Sequence, residues 1–177
     1  MMQKNGIRDV AVEGVRGSLT DHYDPRSKKL RLSEPVYAQA SIAAVGVAAH
    51  EAGHAIQHAK GYGPLALRSS LVPVANIGSS IGPWLAIAGL FLSFPLLINI
   101  GIVLFGGAVV FYLITLPVEF NASARALQIL KKENVLNAAE LEGVRKVLTA
   151  AALTYVASAL TALMSFLRLI LLSRGRR

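Results

Sequence analysis

The chain has 177 residues, no cysteine and a formal net charge of +8, with 54% apolar and only 16% charged residues. A soluble domain carries about a quarter charged residues, so the composition points away from that class, while the length suits one domain. Without cysteine there are neither disulfides nor thiolate zinc sites, which leaves any metal to histidine and carboxylate.

Residues 69–118 contain no Asp, Glu, Lys or Arg, and neither do residues 147–167. A membrane-spanning helix needs roughly 20 mainly apolar residues. Both runs lie far from the N-terminus, so neither is a secretory signal. The positive charge fits contact with anionic lipid headgroups. No aromatic-and-basic interleaving and no recognisable module point to nucleic acid. The expected partners are therefore a lipid bilayer and no nucleic acid.

Met1 to Gly6 reads as the last turn of a helix closed by Asn5-Gly6. Val10, Val12, Val15 and Leu19 predict a strand with a bulge or turn near Gly14 and Gly17. Asp21 to Lys28 is turn chemistry, with Asp24-Pro25 starting the turn. Lys29-Leu30-Arg31-Leu32 alternates polar and apolar, as a short return strand does. Residues 1–33 thus predict a small β-hairpin or three-stranded sheet, basic on its outer face. Ser33 then caps a helix with Pro35 in its first turn. A second helical run, Ile42 to Lys60, is rich in Ala and Gly, which lets neighbouring helices approach closely. Gly61-Tyr62-Gly63-Pro64 stops it.

The first span is predicted over Leu71–Ser93 and includes Pro73 and Pro83, tolerated where neighbours satisfy the freed carbonyls. Phe94-Pro95 marks a tight turn. The second span runs Leu96–Leu116 and ends at Pro117. A separate helix follows over Val118–Lys132, then a polar connection with a short helix over Asn134–Gly143. The third span covers Lys146–Ser173. Arg168 can snorkel from it, and Arg174, Arg176 and Arg177 anchor the tail. The expected organisation is one domain over 1–177, built from 1–33, 34–61, 71–116, 117–132 and 147–173.

His50-Glu51-Ala52-Gly53-His54 lies in the middle of the second helical run. Residues four apart share a helix face, so His50 and His54 can offer two imidazole nitrogens to one metal ion. Glu51, at the edge of that face, can take a proton from a water at the ion. This is the metal-protease helix pattern. Its mid-helix position is the context the spacing requires.

A catalytic zinc site has three protein ligands and an open position. A third histidine ten residues after the first is excluded, because that position is Lys60, and Gln57 stands where a glycine is expected. The alternative is a carboxylate from another helix: Glu119, Glu133, Glu140 or Glu142. Two spans within 69–118 would return the chain to the side it left, with Glu119 on the same side as His50. Glu133, Glu140 and Glu142 lie beside Lys131, Lys132, Arg145 and Lys146 and read as a solvated face. His50 and His58 are separated by roughly 12 Å of helical rise, so one ion cannot take His50, His54 and His58 together. His58 reads as a surface or supporting histidine, and His22 as an exposed turn histidine able to line the cleft.

Thr20-Asp21-His22-Tyr23-Asp24-Pro25-Arg26, Leu32-Ser33-Glu34, the stretch from Ala48 to Ala59 and Leu116-Pro117-Val118-Glu119-Phe120-Asn121-Ala122-Ser123 resemble the bacterial neutral zinc metallopeptidase family. The likeness covers essentially the whole chain. More distantly it extends to the membrane heat-shock proteases and the prenyl-protein endopeptidases. It implies a mainly α integral membrane protein with a zincin-like helical core, a small N-terminal β-hairpin and about three membrane helices. By position, His50, His54 and Glu119 would be the ligands of one Zn2+ ion and Glu51 the catalytic base. In the distant relatives an Asp supports the site four residues after the third ligand. That position is Ser123 here, and Asn121 or Ser123 would orient a ligand histidine. Family members usually begin with a further membrane helix, and relative to that pattern this sequence starts late, as either a truncated reading or a shorter protein would.

The expected activity is zinc-dependent membrane-embedded hydrolysis of a peptide or membrane-protein substrate. His22, Tyr23, Tyr155 and Arg125 are the candidate oxyanion donors, and the hairpin strand could hold an extended substrate. The competing reading is a non-catalytic membrane protein whose metal is structural, closed by Asp21 or His22 as fourth ligand. A third is a metal-free membrane scaffold. Residues 1–68 hold nine Lys and Arg and residues 117–146 hold five. The positive-inside rule then puts the site on the cytoplasmic side of a bacterial plasma membrane.

Overall fold

The computed structural model describes residues 2–175, the Lys4 side chain excepted; Met1 and the expected tail anchors Arg176 and Arg177 lie outside the described residues. Two compact units form. One contains the residues up to Leu65 together with Val118–Leu153, and the other contains Ala66–Pro117 with the residues from Thr154 onward.

The first unit opens with a 3-10 turn, Gln3–Asn5, closed by Gly6 at φ 81°. Only a residue without Cβ adopts that conformation freely, which is why the turn ends on glycine. Three strands follow: β1 (Ala11–Val15), β2 (His22–Asp24) and β3 (Lys29–Ser33). Their order is β1-β3-β2. β2 and β3 form the expected antiparallel hairpin, with Tyr23 opposite Leu30. β1 pairs with the far side of β3 and runs parallel to it, Val12 opposite Leu30. The sheet is therefore three-stranded with β2 at one edge. Glu13 on β1 ties to β3 through Lys29 Nζ at 2.9 Å and Arg31 Nε at 2.7 Å.

Helix α1 (Glu34–Tyr37) is one turn, with Pro35 in the first-turn position that has no intrahelical N–H partner to lose. Helix α2 (Ile42–Ala59) starts at Ser41, whose side chain accepts from the Ala44 amide at 3.1 Å. Its inner face buries Ala44, Ala49, Ala52, Ala55 and Ile56. Within the first unit α2 packs on α4 (Pro95–Lys132) and on α5 (Ala138–Arg174). Ala49, Ala126, Leu130, Val144 and Leu148 form that core. Leu30, Leu32 and Ala52 join the sheet to α2.

The helix of the first span starts at Gly63 and not at Leu71, and two further boundaries differ from the sequence expectation for a visible reason. α4 runs unbroken through Pro117, where a new helix was expected to start at Val118. A proline inside a helix costs about 3 kcal/mol through one missing hydrogen bond and a steric clash. Ending and restarting the helix would leave about four N–H and four C=O groups without intrahelical partners, which is worse. α5 begins at Ala138, inside the expected polar connection. The reason is a capping box: the Asn137 amide donates to Glu140 Oε2 at 2.8 Å and the Glu140 amide to Asn137 Oδ1 at 2.9 Å.

In the second unit, α3 (Gly63–Phe91) carries Pro73 and Pro83 in its interior. α3, α4 and α5 are long and apolar enough to cross a membrane. Gly78 and Gly82 on α3 face the backbone of Leu104 and Phe105 on α4, and Gly101 faces Ala86. Small residues at four-residue spacing permit this backbone approach, the usual way helices associate in lipid. Ala86, Phe105, Ala108 and Leu169 form the core there.

Candidate metal centre

The residues able to hold a metal ion come from two helices, α2 and the first-unit part of α4. Gly53 on α2 lies against Ala122 on α4 so closely that a Cβ at position 53 would sit 2.6 Å from the Ala122 carbonyl oxygen. This backbone contact carries the α2 histidines up to Glu119 and Ser123. His50 Nε2 lies 3.1 Å from Glu119 Oε2, and His54 Nε2 lies 3.6 Å from the same oxygen. One donor atom from each of His50, His54 and Glu119 lies within 4.8 Å of the other two. Among the described residues no other histidine, aspartate or glutamate joins the group. Glu119 and His54 are buried at 2% and 7% exposure.

This donor set fits zinc. Bonds of about 2.0–2.1 Å in tetrahedral geometry separate the donors by about 3.3–3.4 Å, and 3.1 and 3.6 Å bracket that spacing. Two imidazole nitrogens and one carboxylate oxygen are also the donor chemistry of three-ligand zinc sites. The far ring nitrogens are held as well. His50 Nδ1 lies 3.1 Å from Ser123 Oγ, and His54 Nδ1 lies 3.0 Å from Gln57 Oε1.

Glu51 is 8% exposed. Burial, helped by the nearby Glu119 carboxylate, holds its carboxyl above the ordinary range, against the opposing pull of His54, His50 and a hydrogen bond from the Tyr23 backbone. Burial pulls His54 down, but Glu119, Glu51 and the Gln57 hydrogen bond together more than offset this, so its pKa stands above the ordinary value.

The remaining candidates sort cleanly. Ser123 is at His50, and Asn121 reaches the site through Gln57, whose Nε2 donates to Asn121 Oδ1 at 3.0 Å. Arg125 Nε donates to Asn121 Oδ1 at 2.7 Å, and its guanidinium lies over the Tyr62 ring. His22 is exposed on edge strand β2; its Nδ1 donates to Thr20 O at 2.8 Å and its Nε2 faces Arg31. Both Asp21 oxygens accept from Ser33, from its amide and its hydroxyl, each at 2.8 Å. His58 is hydrogen-bonded to the Tyr23 hydroxyl at 2.8 Å. Tyr155 belongs to the second unit. Gln57 is the residue the sequence reading passed over as a departure from another motif. Its signal is a polar residue one turn past His54 on the same helix face.

Residues 1–174 match the family described as "putative neutral zinc metallopeptidase". This chain belongs to that family. It is 55% identical over 168 residues to a protein of Bacillus subtilis (strain 168) named "putative membrane protease YugP", an alignment covering 95% of this chain and 75% of that relative. No solved structure matches it. Membership of a zinc peptidase family implies zinc, and His50, His54 and Glu119 are the residues able to hold it.

Proposed function

We propose that this protein is a zinc-dependent, membrane-embedded endopeptidase. In this reading His50, His54 and Glu119 hold one zinc ion and Glu51 is the catalytic base. The observation that carries it is the open donor set: three ligand atoms within 4.8 Å and no fourth among the described residues. A structural site is closed by four protein ligands. The two residues named as the fourth ligand of a structural site are otherwise engaged, Asp21 by Ser33 and His22 by Thr20 and Arg31.

When bound, zinc supplies a Lewis acid that polarises a carbonyl and acidifies water. The chain's own residues do the rest. Glu51, one residue round the helix from His50, takes a proton from the attacking water as its oxygen bonds to the scissile carbonyl carbon. It then passes that proton to the leaving amine as the C–N bond breaks. Ser123 and Gln57 hold the rings of His50 and His54. β2 is an edge strand whose Tyr23 backbone reaches Glu51, so an extended peptide added along β2 would run beside the base. The active site faces the cytoplasm in this reading, following the distribution of Lys and Arg.

The test is Glu51→Gln in the full chain, purified in detergent. Zinc content should stay at the wild-type level, while peptidase activity falls by about 10²–10⁴-fold, the range for loss of a general base. Activity that survives this substitution would sink the assignment.

A further inference from the structure

Gln57 is 0% exposed. A buried amide has two N–H donors and one carbonyl acceptor to satisfy. Its Nε2 lies 2.8 Å from Val118 O and 3.0 Å from Asn121 Oδ1. A backbone carbonyl can only accept, so the contact with Val118 decides which end of the amide is nitrogen. Oε1 is then the atom 3.0 Å from His54 Nδ1. An amide oxygen also only accepts, so Nδ1 must carry the hydrogen. In a neutral imidazole that leaves the lone pair on Nε2, the atom facing Glu119. The same logic runs one step further out. Arg125 Nε can only donate, and at 2.7 Å it identifies the Asn121 atom as oxygen.

We infer that Gln57 is a positioning residue for the metal centre. It fixes His54 as the Nδ1–H tautomer that offers Nε2 to the ion, and it is itself oriented by Val118 O and by the Asn121–Arg125 pair. This inference rests on the proposed zinc site. It adds that a side chain one turn past the motif sets which nitrogen of His54 is available.

The experiment measures zinc affinity of the full chain in detergent by competition with a chromophoric chelator, for wild type, Gln57→Leu and Gln57→Glu. Gln57→Leu removes the acceptor and should weaken zinc binding by about 10–100-fold, the usual cost of losing a partner of a ligand histidine. Gln57→Glu keeps an oxygen for Nδ1–H but sets a carboxylate oxygen against Val118 O and Asn121 Oδ1, which only accept, so it should recover part of the affinity lost in Gln57→Leu and not all of it. In parallel, 15N-histidine NMR of zinc-loaded wild type reads the His54 ring directly, even where Gln57→Leu fails to fold. The expected spectrum has Nε2 metal-bound and a hydrogen-bonded Nδ1–H. Ligation through Nδ1, or a folded Gln57→Leu with wild-type affinity, would overturn this inference alone. A wild-type chain that binds no zinc would overturn the zinc reading and this inference with it.

Discussion

Gly53 and Ala122 meet backbone to backbone: a Cβ on Gly53 would lie 2.6 Å from Ala122 O and 3.2 Å from Ala122 Cα. The carbonyl belongs to a helix backbone and cannot turn aside as a flexible side chain would. The glycine between Ala52 and His54 therefore sets how near α2 and α4 come, and with it the spacing of His50 and His54 to Glu119.

Gly53→Ala should push the helices apart locally. Overpacking of this kind typically costs about 1–3 kcal/mol, and a shift of even a fraction of an ångström falls directly on the spacing of His50, His54 and Glu119. Weaker zinc binding together with a lower thermal midpoint in detergent is expected. Gly46→Ala is the control, because its Cβ would meet only the Val144 side chain, at 3.1 Å, which can adjust. Equal behaviour of the two variants would contradict this account of the close approach.

The Asp21–Ser33 pair ties the segment before β2 to the end of β3. Ser33 is buried, and both its amide and its hydroxyl donate to Asp21. Asp21→Ala would strand a buried amide and hydroxyl, each costing about 1–3 kcal/mol when left unpaired. The predicted result is a destabilised first unit with faster hydrogen exchange across β2 and β3. Ser33→Ala removes only the hydroxyl and should cost less. Unchanged exchange in Asp21→Ala would show that the tie does not hold the sheet.

The turn after β2 has a defined pH dependence. Asp24 accepts from Ser27 Oγ at 2.6 Å and from the Arg26 amide at 2.9 Å. The Ser27 bond leads in holding the Asp24 pKa down from 3.8 to about 2. Because the folded value lies below the ordinary one, this stabilisation is full above the ordinary pKa and is lost as pH falls through about 2. A carboxyl 13C titration should find the Asp24 midpoint near 2 in wild type and closer to 3.8 in Ser27→Ala. A wild-type midpoint near 3.8 would remove the turn's role.

In the second unit, Gly82 faces α4, where a Cβ would stand 2.8 Å from the Phe105 amide nitrogen. Gly82→Ile should separate α3 from α4 and lower the unfolding temperature in detergent, again by the equivalent of about 1–3 kcal/mol. Gly63→Ala, at a position with nothing within 4 Å of the added Cβ, should not.

Much of this was legible in the chain because the signals are local. The i, i+4 spacing of His50 and His54 needs only a helix, and the Ala- and Gly-rich run supplies one. Glu119 was reached through the length of the uncharged segment before it. What stayed hidden depends on distant partners. Nothing near β1 announces that it skips β2 to pair in parallel with β3, since strand order is a property of the assembled sheet. Pro117 reads as a stop, yet α4 continues because ending it would leave more groups unpaired than one proline does. Gln57 reveals its role only against Val118 O and Asn121 on another helix.

The central claim is that His50, His54 and Glu119 hold one zinc ion. Elemental analysis of the full chain purified in detergent without added metal, beside Glu119→Ala prepared in the same way, tests it most directly. One zinc per chain in wild type and markedly less in Glu119→Ala is the predicted result. A wild-type chain without zinc, or a full complement retained in Glu119→Ala, would contradict it.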